Sequence, residues 1–244
     1  MALVLFFGCL FIAIGPAIGL LVTIVPMKSY LVVILIGSAF FWITAAMISA
    51  IFWYIIPPIQ SMWGFVLPYS VVFQELIRWG FIAFYFAAEK GFASRANVRI
   101  SLRLADGVLS SIASGLGFGL AYALVMYVSI LMQAVGPGDL YIEACPHVSF
   151  FFTSAMYSFA FLLLHVFTMV IAFDGYKRKG WYYAEVLIVF LINLAASLIS
   201  LANLNTNGCY VALPLMFALV CCSAAFAYFV IYRRGVTLRQ QQGR

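Results

Sequence analysis

Long apolar runs alternate with short polar stretches along the chain, and seven such runs can be drawn. Each run has the length of about 20 residues that a helix needs to cross a hydrocarbon layer of about 30 Å. Helix-breaking stretches, namely Pro57-Pro58, Gly136-Pro137-Gly138 and 203–208, separate neighbouring runs. The pattern predicts an all-α polytopic membrane protein with seven transmembrane helices. The runs are Ala2–Val25, Leu31–Ile56, Phe65–Ala88, Gly107–Ala134, Ser149–Ala172, Tyr182–Ala202 and Tyr210–Tyr232.

Composition agrees with a membrane protein. Of the 244 residues, 66% are hydrophobic and 8% are charged, whereas about a quarter of an ordinary soluble domain is charged. The net charge of +6 does not indicate nucleic-acid binding, because the basic residues lie between apolar runs rather than on one folded surface. No linker divides the chain, so we expect a single seven-helix transmembrane domain over residues 1–244. The first run lacks a basic stretch before it and a clear cleavage site after it, so we expect a retained helix.

The basic residues predict the orientation of the chain in the membrane. Twelve of the thirteen Lys and Arg residues fall in the connections that follow the first, third, fifth and seventh runs. Because cytoplasmic loops are the ones enriched in Lys and Arg, the N-terminus is predicted to be lumenal or extracellular and the C-terminus cytoplasmic. The twelve residues are Lys28, Lys90, Arg95, Arg99, Arg103, Lys177, Arg178, Lys179, Arg233, Arg234, Arg239 and Arg244.

Small residues recur at every fourth position of the fourth run, at Gly107, Ser111, Gly115, Gly119 and Ala123. Transmembrane helices associate by close backbone packing, which small residues four positions apart permit. We therefore predict a helix-packing groove that serves assembly and that another helix crosses at an angle. The sequence leaves open whether that helix belongs to this chain or to a partner.

Five of the polar residues inside apolar runs are candidates for a functional site, because such groups are costly in lipid and face protein or water. Glu75 and Arg78 are three positions apart, so they share a helix face and can form an ion pair. Two interpretations stay open for this pair: a structural ion pair near the cytoplasmic end of its helix, and a proton or substrate site. Together with Gln74 beside the pair, His165 in the fifth run and Asn193 in the sixth, they predict an intramembrane polar cavity.

The five cysteines divide between the membrane and its outer side. Cys9, Cys221 and Cys222 lie inside apolar runs, where they are expected to be small apolar fillers. Cys145 and Cys209 lie in two connections on the predicted outer side, where disulfides can form. Whether these two are bridged is left open, because the separation of their Cα atoms cannot be read from sequence.

No catalytic constellation assembles from the sequence. An aspartyl intramembrane protease needs two carboxylates within the membrane, whereas Asp106, Asp139 and Asp174 all lie at the ends of runs. The chain has no H-E-x-x-H zinc motif, and no G-x-S-x-G elbow accompanies His165. A transporter would usually show internal repeats, and none is visible. We therefore expect no catalytic residue, no metal site and no cofactor.

Several short stretches match one known family in their order and spacing across nearly all of the chain. They are Phe6-Phe7-Gly8-Cys9, Gly15-Pro16, Phe41-Trp42, Phe73-Gln74-Glu75-Leu76-Ile77-Arg78, Ser114-Gly115-Leu116-Gly117-Phe118-Gly119, Gly136-Pro137-Gly138, Phe151-Phe152-Thr153-Ser154-Ala155, Leu164-His165 and Val170-Ile171-Ala172-Phe173. The chain resembles the anterior pharynx-defective family, the seven-helix scaffold subunit of γ-secretase, and is similar to its plant and algal branch.

The resemblance implies a non-catalytic subunit that assembles with presenilin, nicastrin and the presenilin-enhancer subunit. It also implies residence in endoplasmic reticulum, Golgi, endosomal and plasma membranes, and a part in intramembrane proteolysis of type I membrane proteins. The triple-glycine motif of the family maps onto Gly115, Gly119 and Ala123, and its two intramembrane histidines map onto His165 and Asn193. Because the second histidine is replaced, a role that needs two titrating histidines is not expected.

The family is also distantly related to the glutamate-dependent CAAX prenyl proteases, which provide an alternative function. Phe161 and His165 match the F-x-x-x-H pattern of those proteases, whereas Glu75 stands alone where they carry a pair of glutamates. Under this alternative, Glu75 is essential for hydrolysis. The missing glutamate favours instead a degenerate site that is retained as a polar cavity.

Overall fold

The computed structural model describes residues 2–24, 28–95, 104–136, 138–177 and 182–242, which are mostly helical. The helices are α1 (Ala2–Ile24), α2 (Tyr30–Ile55), α3 (Trp63–Arg95), α4 (Leu104–Tyr122), α5 (Val128–Leu131), α6 (Phe150–Lys177), α7 (Tyr182–Ser200) and α8 (Cys209–Gln242). Several residues used in the sequence predictions lie outside the described residues, namely Val25, Arg99, Arg103, Pro137, Arg178, Lys179 and Arg244.

Seven helical segments of the described chain are long and apolar enough to cross a membrane, which confirms the predicted number of spans. Hydropathy predicts them well because a chain in lipid must satisfy its own backbone hydrogen bonds, and an apolar helix does so within one segment. The spans are Leu3–Ile24, Tyr30–Ile55, Gly64–Gly91, Gly107–Val135, Phe150–Lys177, Ala184–Leu204 and Cys209–Arg233.

Three helices extend past the predicted ends of their apolar runs. α3 continues to Arg95, α6 to Lys177 and α8 to Gln242, whereas the runs end at 88, 172 and 232. Hydropathy marks where a segment leaves the hydrocarbon layer, but the hydrogen bonds of a helix continue through polar helix-forming residues until a breaker intervenes. Several of the basic residues assigned to connections therefore lie on helical extensions.

The fourth span is not the uniform helix that the sequence predicts over Gly107–Ala134. After α4 the chain makes a π-helical turn over Ala123–Tyr127, continues through α5 and closes with a 3₁₀ turn over Met132–Val135. A π turn accommodates one extra residue in the helix. As a result, the three consecutive side chains 124–126 are exposed on the outside of the bundle.

The centre of the bundle is α6, of which seventeen of 28 residues are buried. It contacts α1, α4, α7 and α8 along its length, and α4 is packed between α2 on one side and α6 on the other. α3 lies mainly against α2 and α7 and touches α6 over a short stretch. Since most of its residues are covered by these neighbours, α6 is the central element of the bundle.

Candidate functional site

The predicted groove of α4 is filled by α6 of the same chain. A Cβ atom built on Gly115 would lie 2.5 Å from the Cα atom of Val166 and 3.0 Å from the carbonyl oxygen of His165. A Cβ atom built on Gly119 would lie 2.9 Å from the carbonyl oxygen of Leu162. Real Cβ atoms essentially never approach other atoms within 3.0 Å. The two glycines therefore allow the backbones of α4 and α6 to meet.

The remaining positions of the small-residue stripe are buried as well. Ala123 is fully buried at the start of the π turn, and Gly107 is buried at the start of the fourth span. Ser111 donates a hydrogen bond to the carbonyl oxygen of Val108 at 2.8 Å and lies beside a small cleft that Asp174 also lines. The stripe is therefore interior to this chain along its length.

A second row of small residues on α4, which the sequence analysis missed, faces α2. A Cβ atom on Gly117 would collide with the side chain of Ser38 and the carbonyl oxygen of Leu35. Two residues advance a helix by about 200°, so Gly117 lies on nearly the opposite face from Gly115. The available signal was the spacing of Ala113, Gly117 and Ala121, a second set of small residues four positions apart.

Arg78 lies at the centre of the polar residues and is fully buried. Its Nη1 atom lies 3.2 Å from Oε1 of Glu75 and donates a hydrogen bond to Oγ1 of Thr168 at 2.9 Å. Its Nη2 atom lies 3.0 Å from Nδ1 of His165. Because a guanidinium group can only donate, Nδ1 of His165 must accept, so the imidazole is neutral and carries its proton on Nε2. The guanidinium carbon also lies 5.5 Å from the centre of the Phe118 ring of α4.

Asn193 connects α7 to the same cluster. Its Nδ2 atom donates to Oε1 of Glu75 at 2.9 Å and to the carbonyl oxygen of Val189 at 3.0 Å. The structure thus brings together Glu75, Arg78, His165 and Asn193, whereas Gln74 is half-buried and makes no side-chain hydrogen bond within the described chain. The sequence analysis missed Thr168, although its spacing of three from His165 places both on one face of α6.

The cluster lies at the middle of the membrane-spanning segments. Arg78 is 14 residues from Gly64 and 13 from Gly91, the two ends of its span. His165 is 15 and 12 residues from the ends of its span, and Asn193 is 9 and 11 from the ends of its span. The structural ion pair of the first interpretation is formed, but it lies near the middle of the candidate span rather than near its end, because that span continues to Gly91. An ion pair at this depth must be satisfied by protein groups.

The contacts within the polar cluster stabilise its buried charges rather than expose a reactive group. Oε1 of Glu75 accepts from both Arg78 and Asn193, and Nδ1 of His165 is occupied by Arg78. Three buried polar atoms of the cluster have no hydrogen-bond partner among the described residues: Oε2 of Glu75, Nε of Arg78 and Nε2 of His165. A general base needs a free acceptor within reach of the proton that it removes. The histidine, whose acceptor nitrogen is occupied, cannot serve as that base.

A disulfide between Cys145 and Cys209 closes one end of the bundle, and their Cα atoms lie 5.7 Å apart. Two backbone hydrogen bonds run beside it, from the amide of Cys209 to the carbonyl oxygen of Ala144 at 3.2 Å and from that of Asn207 to Glu143 at 3.0 Å. These contacts fasten the connection between α5 and α6 to the start of α8. The bridge that the sequence left open is thus formed in the structure.

The structure has seven apolar spans with α6 at their centre, and a glycine groove and an ion-pair network lie inside. These features define a multi-pass helical membrane protein whose polar interior connects its own helices. Comparison with known families agrees with this class over the length of the chain, since the family model described as "Aph-1 protein" matches residues 4–234. The chain belongs to the Aph-1 family. That family is the non-catalytic subunit of γ-secretase.

Curated relatives from plants and animals match most of the chain. "Gamma-secretase subunit APH1-like" from Arabidopsis thaliana is 31% identical over 243 residues, covering 96% of this chain and 95% of the relative. "Gamma-secretase subunit Aph-1" from Drosophila melanogaster is 34% identical over 201 residues, covering 82% of each. "Gamma-secretase subunit APH-1B" from Homo sapiens is 31% identical over 231 residues, covering 88% of this chain and 87% of the relative.

Proposed function

We propose that this chain is the scaffold subunit of a γ-secretase complex and assembles with presenilin, nicastrin and the presenilin-enhancer subunit. In this role it stabilises the complex that cleaves type I membrane proteins within the membrane, and it acts as a single seven-helix domain. The observation that carries the proposal is the family match over residues 4–234, which covers almost the whole of this chain.

The proposed orientation places the N-terminus outside and the C-terminus in the cytoplasm. Twelve of thirteen basic residues fall in connections on one side, as expected for cytoplasmic loops. The disulfide between Cys145 and Cys209 lies in connections on the other side, and disulfides persist in oxidising compartments. These two independent features support the same orientation. We propose the endoplasmic reticulum, Golgi, endosomes and plasma membrane as its locations.

Within this function, the stripe residues and the polar cluster have separate roles. Gly107, Ser111, Gly115, Gly119 and Ala123 set the packing of α4 that partner binding depends on. The polar cluster consists of Glu75, Arg78, His165, Thr168 and Asn193. It joins α3 and α7 to α6 through an ion pair and hydrogen bonds. Partner helices then dock on the lipid-facing sides of a preformed bundle, because α6 already fills the glycine groove.

Affinity purification of the tagged chain in mild detergent, followed by mass spectrometry, tests the proposal. We expect presenilin-like, nicastrin-like and presenilin-enhancer-like proteins to co-purify with the native chain. The Gly115→Leu variant should lose them, because its side chain cannot fit against the backbone of Val166. Gly80→Ala serves as a control, since a Cβ atom there has nothing within 4 Å. Recovery of the native chain without a presenilin-like protein would contradict the assignment.

A further inference from the structure

The groove and the polar cluster meet on about two turns of α6. Leu162 and Val166 place their backbone atoms against the two glycines of α4. From the same stretch, His165 and Thr168 present their side chains to Arg78 of α3. The two features that the sequence analysis treated separately therefore hold the same segment of helix from two sides.

We infer that Arg78 is a positioning residue that fixes the rotation of α6 in the groove of α4. The polar cluster and the glycine groove then hold α6 together, and a change in one should affect the other. This inference rests on the proposed scaffold function and deepens it, because it names the contact that keeps the central helix in the position required by the other helices. It assigns Arg78 a role in packing between two helices, α4 and α6, neither of which contains it.

Helix geometry shows why side-chain bonds to Arg78 report the rotation of α6. Each residue turns an α-helix by about 100° and Cα atoms lie about 2.3 Å from the axis. Leu162 and Val166 face α4, while His165 and Thr168 lie about 110° further around the helix. A rotation of about 20° moves a side-chain atom that is about 6 Å from the axis by about 2 Å. Such a shift breaks hydrogen bonds of 2.9 and 3.0 Å.

The guanidinium group of Arg78 can hold α6 in position because contacts from α3, α4 and α7 fix the guanidinium group itself. Glu75 fixes it from α3, and Asn193 of α7 fixes Glu75 in turn. The ring of Phe118 on α4 lies beneath it at 5.5 Å. Since α3 and α6 otherwise touch over a short stretch, the bonds from Arg78 to His165 and Thr168 are the main polar connection between the two helices among the described residues.

Coupling between groove and cluster follows from the distances. A methyl group on Gly115 lies 2.5 Å from the Cα atom of Val166, and ordinary contact begins at 3.4 Å, so α6 must move by close to an ångström. α6 relieves this contact by shifting or rotating, and either change misaligns the bond between Arg78 and Thr168, now 2.9 Å. Gly115→Ala therefore already weakens the bond that Thr168→Val removes. The two substitutions should not be additive.

A double-mutant cycle on the full chain tests this inference. The native chain, Gly115→Ala, Thr168→Val and the double variant are compared by equilibrium unfolding in mixed micelles with increasing dodecyl sulfate. Thr168→Val should lower the ratio of folded to unfolded chain by about threefold to tenfold in the native background. It should lower that ratio by less than about twofold in the Gly115→Ala background. Equal effects in both backgrounds would overturn the inference.

Matched variants distinguish the coupling between groove and cluster from a general loss of stability. Thr153→Val changes the same residue type on α6, where Oγ1 bonds the carbonyl oxygen of Ser149 at 3.1 Å, and its effect should be the same in both backgrounds. If Gly115→Ala does not fold, Gly119→Ala replaces it, and we expect a smaller coupling of the same sign because its Cβ atom lies 2.9 Å from the carbonyl oxygen of Leu162. A coupling that appears equally with Thr153→Val contradicts the inference.

The double-mutant cycle and the co-purification experiment can give negative results independently of each other. Unfolding of the purified chain needs no partner protein, so non-additivity in the cycle stands even if no presenilin-like protein binds. In that event the proposed function is wrong, but the coupling between the groove and the polar cluster stands. Additive effects together with normal recovery of partners contradict the coupling and leave the scaffold function in place.

Discussion

Removing Arg78 alone should destabilise the protein more than removing the whole ion pair. In Arg78→Leu, the carboxylate of Glu75 stays buried at the middle of the membrane with Asn193 as its remaining donor in the cluster. Breaking a buried ion pair by removing one partner costs about 3 to 5 kcal/mol, because an uncompensated charge is left behind. The ratio of folded to unfolded chain then falls by a factor of about one hundred to several thousand.

The double variant Glu75→Leu/Arg78→Leu leaves no buried charge in the cluster. It loses the bonds from Asn193 to Glu75 and from Arg78 to Thr168 and His165. Interhelical hydrogen bonds in membranes contribute about 0.6 kcal/mol each on average, so the three losses cost about 2 kcal/mol. The double variant should therefore be more stable than Arg78→Leu by at least about 1 kcal/mol.

Equilibrium unfolding in mixed micelles measures both variants against the native chain. Arg233→Leu is the comparison at the end of a span: its guanidinium lies 3.4 Å from Glu185, and the Arg233 side chain is 39% exposed although that of Glu185 is only 5% exposed. Because water reaches one member of this pair, the change should cost less than Arg78→Leu. If Arg78→Leu and the double variant were equally unstable, the unpaired carboxylate of Glu75 would carry no cost and the prediction would be wrong.

Three further changes have definite expected outcomes. Gly117→Ala should impair folding and Gly80→Ala should not, because a Cβ atom collides with α2 at the first site and has nothing within 4 Å at the second; the yield of monodisperse protein measures this. Replacing Cys145 and Cys209 with Ser should lower stability by up to about 4 kcal/mol from loop entropy, and mass spectrometry of unreduced peptides should detect the native bridge. Asn193→Leu should cost about 1 to 2 kcal/mol in the unfolding assay, since Glu75 loses a donor; an unchanged unfolding midpoint argues against this bond.

The number of spans could be predicted from sequence, whereas the irregular parts of the spans could not. Lipid leaves each segment to satisfy its own backbone, so an apolar run of sufficient length predicts a helix directly. The π turn at Ala123–Tyr127 has no such signal, because it depends on how the residues on either side pack against neighbouring helices. Hydropathy did not predict the extensions of α3 and α8, because it does not distinguish polar helix-forming residues from polar loop residues.

The candidate site was predicted as a set of residues but not as an arrangement. The cost of polar groups in lipid identified Glu75, Arg78, His165 and Asn193. Thr168 escaped because its hydroxyl can bond its own helix backbone, as it also does here to Leu164 at 2.6 Å. The helix that fills the groove could not be predicted either, since small residues permit close packing without specifying the partner.

As a non-catalytic scaffold, this chain should be required for the protease complex to act. Intramembrane cleavage of a type I membrane protein can be measured in cells that lack this chain and in the same cells after its return. We expect cleavage and mature complex both to be lost without the chain and both to be restored by the native chain, whereas Gly115→Leu should restore neither. Undiminished cleavage in cells without the chain, or cleavage by the purified chain alone, would contradict this scaffold role.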